Sequence, residues 1–255
     1  MRKFWILAIA VCAMATTLAT AYAYAIGFDR AALWQVVRAC VADYQLTGAP
    51  YPCLEVNLSG GEERGDVVLR PPLMRDLIVS PTRRSVGVED PSLLSAESPN
   101  YFDAAWRARS WLKSEDGHEP ERDEIALVAN SAVVRVQDQL HIHVGCLRPA
   151  ARRALVSAAP TVPVGSWVRL GPVTPHSVFW ATRVEGTDLT HVAPFRLAAD
   201  ALADKVANRA LLTVVAVGDR VDDKDGFLIL ASYVNAKGAW WPVGSDDLMD
   251  RRCLR

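Results

Sequence analysis

Hydrophobic positions along this chain follow two periods. Strict alternation marks the stretch Gln137-Asp138-Gln139-Leu140-His141-Ile142-His143-Val144-Gly145-Cys146, the period of a half-buried β-strand. Side chains two apart share a face, so Gln139, His141 and His143 line one side and Leu140, Ile142 and Val144 the other. Apolar runs predict further strands at 66–70, 76–80, 125–130, 177–184, 211–217 and 227–234. The first two meet across Pro71 and Pro72, which lack the amide donors a central ladder needs. Leu33, Val36, Val37 and Cys40 recur at helical spacing, which predicts a helix capped by Asp29 and ended by Gly48 and the prolines after it. Ser98 and Pro99 open a second helix with Phe102, Ala105, Trp106 and Leu112 on its apolar side. Shorter helices are expected at 150–158 and 194–207. Asp222-Asp-Lys-Asp-Gly226 is expected to be a polar hairpin turn: a calcium-loop frame ending at Gly226 puts Val221 in the first ligand position.

The N-terminus departs from both periods. After Arg2 and Lys3, residues 4–26 carry no charge. At about 1.5 Å per helical residue this run is long enough for a hydrocarbon core of about 30 Å. Ala21-Tyr-Ala23 and Ala23-Tyr-Ala25 also fit signal-peptidase sites. Anchor and cleaved signal both remain open, and in either case the positive end places the rest of the chain outside the cytoplasm. Cysteine usage fits export. Beyond Cys12 there are four, Cys40, Cys53, Cys146 and Cys253, which allow two disulfides. Of three connectivities, Cys40–Cys53 with Cys146–Cys253 is favoured. A catalytic thiol at Cys146 is the alternative, but a regular strand turns Cys146 away from both histidines. With 28 Lys+Arg against 29 Asp+Glu in 255 residues, nothing electrostatic speaks for nucleic-acid binding.

The histidine strand admits three readings. His141 and His143 are idle strand residues; or they are two ligands of a metal, for which no third donor shares the face; or an imidazole attacks phosphorus. Imidazole is mostly neutral at pH 7, with an unperturbed pKa of about 6.5, so its lone pair is free without a strong base. Asn130 and Ser131, at the end of the strand before, are suited to donate to a phosphoryl group, and Arg83 could meet phosphate. His118, His176 and His191 stand in no motif.

The alternation resembles the histidine-triad (HIT) signature of nucleotide hydrolases and transferases. More of the chain is similar to one branch, the CDP-diacylglycerol pyrophosphatases. The likeness rests on Asp-Leu-Ile-Val-Ser-Pro-Thr-Arg at 76–83, Gly-Val-Glu-Asp-Pro at 87–91, Pro-Asn-Tyr-Phe-Asp-Ala-Ala-Trp-Arg-Ala-Arg at 99–109, Leu-Val-Ala-Asn-Ser at 127–131 and the strand 137–146. Gln139 stands where the general triad has its first histidine. The resemblance implies an α+β fold, a HIT-like antiparallel sheet with packed helices, here preceded by an N-terminal transmembrane or signal segment. The chain divides into residues 1–26 and a domain at 27–255, whose element order from about 160 faintly repeats that of the first half, without a second His-x-His strand; a degenerate duplicate is a hypothesis. The resemblance implies hydrolysis of CDP-diacylglycerol to CMP and phosphatidate with His141 as nucleophile, while Gln139, His143, Asn130, Ser131 and Arg83 bind substrate. No metal or cofactor is implied. The expected partner is a lipid nucleotide in a membrane, with a single-pass protein on the periplasmic side of the inner membrane, or a cleaved exported form. Two rivals stand beside it: an enzyme of a soluble nucleotide, and a non-catalytic nucleotide- or lipid-binding domain.

Overall fold

A computed structural model describes residues 29–72, 76–113, 117, 119–175, 177–234 and 242–250. Nine strands form one sheet: β1 Glu55–Asn57, β2 Asp66–Leu69, β3 Leu77–Pro81, β4 Ile125–Ala129, β5 Ile142–Cys146, β6 Val168–Leu170, β7 Phe179–Glu185, β8 Leu212–Val221 and β9 Lys224–Tyr233. Their order is β1-β2-β3-β5-β4-β8-β9-β7-β6, and each ladder between neighbours is antiparallel. Five helices accompany it: α1 Ala32–Thr47, α2 Tyr101–Ala108, α3 Pro149–Ala158, α4 Pro194–Ala201 and α5 Ser245–Leu248.

Alternation along the strands decides the layers. Leu127 and Ala129 of β4, Ile142 and Val144 of β5, and Phe227, Ile229 and Ala231 of β9 face one way, onto Phe102, Ala105 and Trp106 of α2 and Phe195 and Ala198 of α4. On the opposite face the cover is split. Helix α1 places Leu33, Val37 and Val41 on Val67 and Leu69 of β2 and Ile78 of β3. Helix α3 places Ala151 and Leu155 on the layer holding Ala126 and Val128 of β4, Val215 of β8 and Leu230 of β9. Strand β5 lies between those two territories, and its side chain there is His143, opposite Ile78 and Val128. The site therefore sits on a seam between two hydrophobic layers.

The second-half strands continue the first-half sheet. The series β2-β3-α2-β4-β5 and β6-β7-α4-β8-β9 run in the same order, and each is arranged alike outward from the central β4·β8 pair. The β8–β9 hairpin turns at Asp222 and Asp223, both with positive φ (51° and 59°), a turn whose twist matches its strands.

The expected α+β, HIT-like sheet with packed helices behind a membrane-spanning segment is corrected. Among the described residues the fold is dominated by its sheet, with ten-residue strands β8 and β9 and only one helix longer than ten residues. Among the described residues no helix is long and apolar enough to cross a membrane, and the run 4–26 lies outside them. Boundaries move as well. Helix α1 begins at Ala32, with Asp29 accepting from the Ala31 amide at 2.8 Å. The second helix is capped by Asn100, whose side chain accepts from the Asp103 amide at 3.1 Å, rather than by Ser98. The histidine strand begins at Ile142, so Gln139 precedes it.

Candidate active site

Strand β5 delivers His143, and the turn into it delivers His141. The His141 ring is 7% exposed, and its Nδ1 is 2.7 Å from the Gln139 carbonyl oxygen. A carbonyl only accepts, so Nδ1 carries the proton and the lone pair is on Nε2. Burial pushes this imidazole down to about 3, and the neighbouring His143 ring adds to that. It is therefore neutral at physiological pH. The two rings are 5.0 Å apart between centroids and meet edge to face.

His143 is fixed at both nitrogens. Its Nδ1 donates to Asp76 Oδ2 at 3.0 Å. Gly145 makes that approach feasible, because a Cβ there would lie 3.2 Å from the Asp76 Cβ. Its Nε2 is 3.3 Å from Asn130 Nδ2. The amide of Asn130 is oriented in turn: Oδ1 accepts from the Ser245 amide at 2.9 Å, and Nδ2 donates to Ser245 Oγ at 3.1 Å. Each donor in the chain Ser245–Asn130–His143–Asp76 has a matching acceptor when His143 is neutral with its proton on Nδ1.

The structure brings His141, His143 and Asn130 together and puts the other expected residues to different uses. Gln139 is fully buried. Its Nε2 donates to the carbonyls of Pro81 at 3.1 Å and Arg83 at 3.0 Å, and its Oε1 accepts from the Ser85 amide at 3.3 Å. The Arg83 guanidinium is held by Asp90 at 2.9 Å and by Ser92 Oγ. Burial alone would raise Asp90, but hydrogen bonds from Ser85, Ser92 and Arg83 outweigh it and hold that carboxyl down to about 2. The Ser131 hydroxyl is buried without a hydrogen-bond partner among the described residues, while its carbonyl accepts from the amides of Val134 and Arg135. Cys40 and Cys53 are joined by a disulfide, their Cα atoms 5.6 Å apart. Cys146 is also disulfide-bonded, so it is no catalytic thiol; Cys253, its expected partner, lies outside the described residues.

Asp76 and Ser245 have no assigned task in the sequence reading. Asp76 heads one of the motifs quoted above, two residues before Ile78 on the same face, so strand parity was a signal for it. Ser245 is 115 positions from Asn130, and no local pattern points to it. Among the described residues no three His, Cys, Asp or Glu side chains gather as a metal-ligand set.

A neutral imidazole with a directed lone pair, beside a second imidazole backed by a carboxylate, is equipped for nucleophilic and acid–base chemistry. Residues 28–255 match the family model described as CDP-diacylglycerol pyrophosphatase. A CDP-diacylglycerol pyrophosphatase of Yersinia pestis is 36% identical over 190 residues, which cover 72% of this chain and 70% of that protein. The chain belongs to the CDP-diacylglycerol pyrophosphatase family. Its reaction is the hydrolysis of CDP-diacylglycerol to CMP and phosphatidate.

Proposed function

We propose that this hydrolysis runs through a covalent nucleotidyl-histidine, the route of the histidine-triad superfamily. His141 Nε2 attacks the phosphorus of the CMP half; an N–P bond forms as the P–O bond to phosphatidate breaks, and phosphatidate leaves with the electron pair. The positive charge that grows on the ring faces the Gln139 carbonyl, already 2.7 Å from Nδ1. Water then attacks the same phosphorus, the N–P bond breaks, and CMP departs as the lone pair returns to His141. The longest link of the polar chain is Asn130 to His143, at 3.3 Å. An entering phosphoryl oxygen would replace it, taking the Asn130 N–H and freeing His143 Nε2 to receive the proton of the attacking water.

One observation carries this reading: the Gln139 carbonyl fixes the tautomer of His141 so that its only lone pair is the unbound one. The test uses CDP-diacylglycerol labelled at the cytidine-side phosphate. Rapid quenching should trap acid-labile label on wild-type protein and none on His141→Ala. Steady turnover with no trapped label at any time would favour direct attack by water.

The disulfides support a working place in an oxidising compartment. We place the enzyme on the periplasmic face of the inner membrane, where its lipid substrate resides. Alike strand order in the two halves supports the repeat read from about residue 160, with a single histidine pair retained in the first half.

A further inference from the structure

We infer that the loops around the start of β5 form a docking rim for a lipid bilayer. The substrate is a diacyl lipid, so its phosphorus can reach His141 while the acyl chains stay in the membrane only if one edge of the site meets the bilayer surface. The segment between β4 and β5 runs from Asn130 to His141 and forms one wall of the site. Val134 lies beside Gly244, where an added Cβ would come within 2.4 Å of its Cγ1 and 3.2 Å of Asn130 Oδ1. On either side of it, Val133 and Val136 stand 53% and 66% exposed.

A second loop joins the same edge. Leu140 donates its amide to the Ser85 carbonyl at 2.6 Å, and the next residue, Val86, is 42% exposed. Exposed Arg84 lies over the half-buried Trp34 ring at 5.8 Å, an amphipathic pair suited to a boundary between headgroups and acyl chains. Its charge complements anionic CDP-diacylglycerol and phosphatidate. Val86, Val133 and Val136 thus expose apolar surface on the two loops that meet at Ser85 and Leu140.

The attachment of the residues before α1 gives independent support. Asp29 presents its carbonyl to Gln137 Nε2 at 3.1 Å, and the Arg30 guanidinium grips Asp138 at 2.7 Å. The first described residues, Asp29 and Arg30, are thus held at this same edge.

The test compares two substrates with the full-length protein: long-chain CDP-diacylglycerol as a minor component of phosphatidylcholine vesicles, and a short-chain CDP-diacylglycerol dissolved as monomers. Val133→Asp with Val136→Asp should lower kcat/KM on vesicles by about tenfold or more, since two buried apolar contacts become charged, and change monomer turnover less than about twofold. Val133→Ser with Val136→Ser should shift vesicle turnover the same way by less. Leu46→Asp serves as control. Leu46 is 84% exposed but sits near the far end of α1, about 20 Å from its start at about 1.5 Å per residue, and its substitution should alter neither. The inference is overturned if both substrates lose turnover together, if vesicle turnover survives both double variants, or if Leu46→Asp matches them.

Discussion

Asp76, the residue just before β3, faces His143 of β5, with Oδ2 3.0 Å from Nδ1, and this contact decides which nitrogen of His143 carries the proton. Asp76→Asn can present an N–H in place of the carboxylate oxygen, and the ring would then turn its lone pair toward residue 76 and its proton toward Asn130. A wrong tautomer leaves the ring in place but unable to accept a proton. We expect kcat to fall on the order of 10²-fold or more, by analogy with a triad aspartate changed to asparagine, with KM nearly unchanged. Steady-state kinetics on monomeric substrate checks this, with the thermal melt showing that the fold persists. A variant that loses KM alone would make Asp76 a substrate-binding residue instead.

Gln139 holds a turn together. Removing its side chain by Gln139→Ala takes a donor from the Pro81 and Arg83 carbonyls and an acceptor from the Ser85 amide. Buried polar groups left without partners cost about 1–3 kcal/mol each, so the variant should melt well below wild type while KM at low temperature changes little. Gln139→His should also be less stable, because one ring cannot donate to two carbonyls and accept from an amide. A KM rise with unchanged stability would return Gln139 to the role of phosphate ligand.

These two residues show what could be read from the chain. Which faces His141, Ile142 and His143 occupy is local, since alternation depends on the strand period alone, and the structure keeps that alternation. Gln139 was expected on the strand because the pattern continues through residues that are not strand. The ladder starts at Ile142, and Gln139 and Leu140 before it are bonded to the turn after β3. Ser245 was illegible for another reason: it reaches Asn130 across 115 positions, a distance on which composition and spacing say nothing. The helix expected to run to 207 stops at Ala201, and the chain beyond it continues in turns, with Lys205 and Val206 donating their amides to the Leu202 carbonyl.

Gly244 couples the C-terminal segment to the site. A methyl group there would come within 2.4 Å of Val134 Cγ1 and 3.2 Å of Asn130 Oδ1. Valine is stiff at χ1, so the backbone that carries the Ser245 amide must move. We expect Gly244→Ala to loosen the Ser245–Asn130 contacts and lower kcat by about tenfold, in line with the loss of one oriented hydrogen bond. Ser245→Ala keeps the backbone amide and loses only the hydroxyl, so its effect should be smaller. The ratio of the two kcat values measures how much of the orientation comes from the main chain.

The depressed basicity of His141 fixes two pH dependences of known sign. With its imidazole pushed down to about 3, His141 keeps its lone pair at pH 5, where an ordinary imidazole of pKa about 6.5 is mostly protonated. On monomeric substrate no loss of kcat/KM between pH 7 and 5 should therefore come from His141, and trapped covalent label should form as fast at pH 5 as at pH 7. Stability moves differently. Between about 6.5 and about 3 the unfolded chain takes up a proton at this residue and the native protein does not, so acidification through that window favours unfolding. His141→Gln removes that term, and its urea midpoint should fall less than that of wild type between pH 6.5 and 4. Equal slopes for the two proteins, or label formation that halves near pH 6.5, would mean that the ring is not shielded from protons as its burial requires.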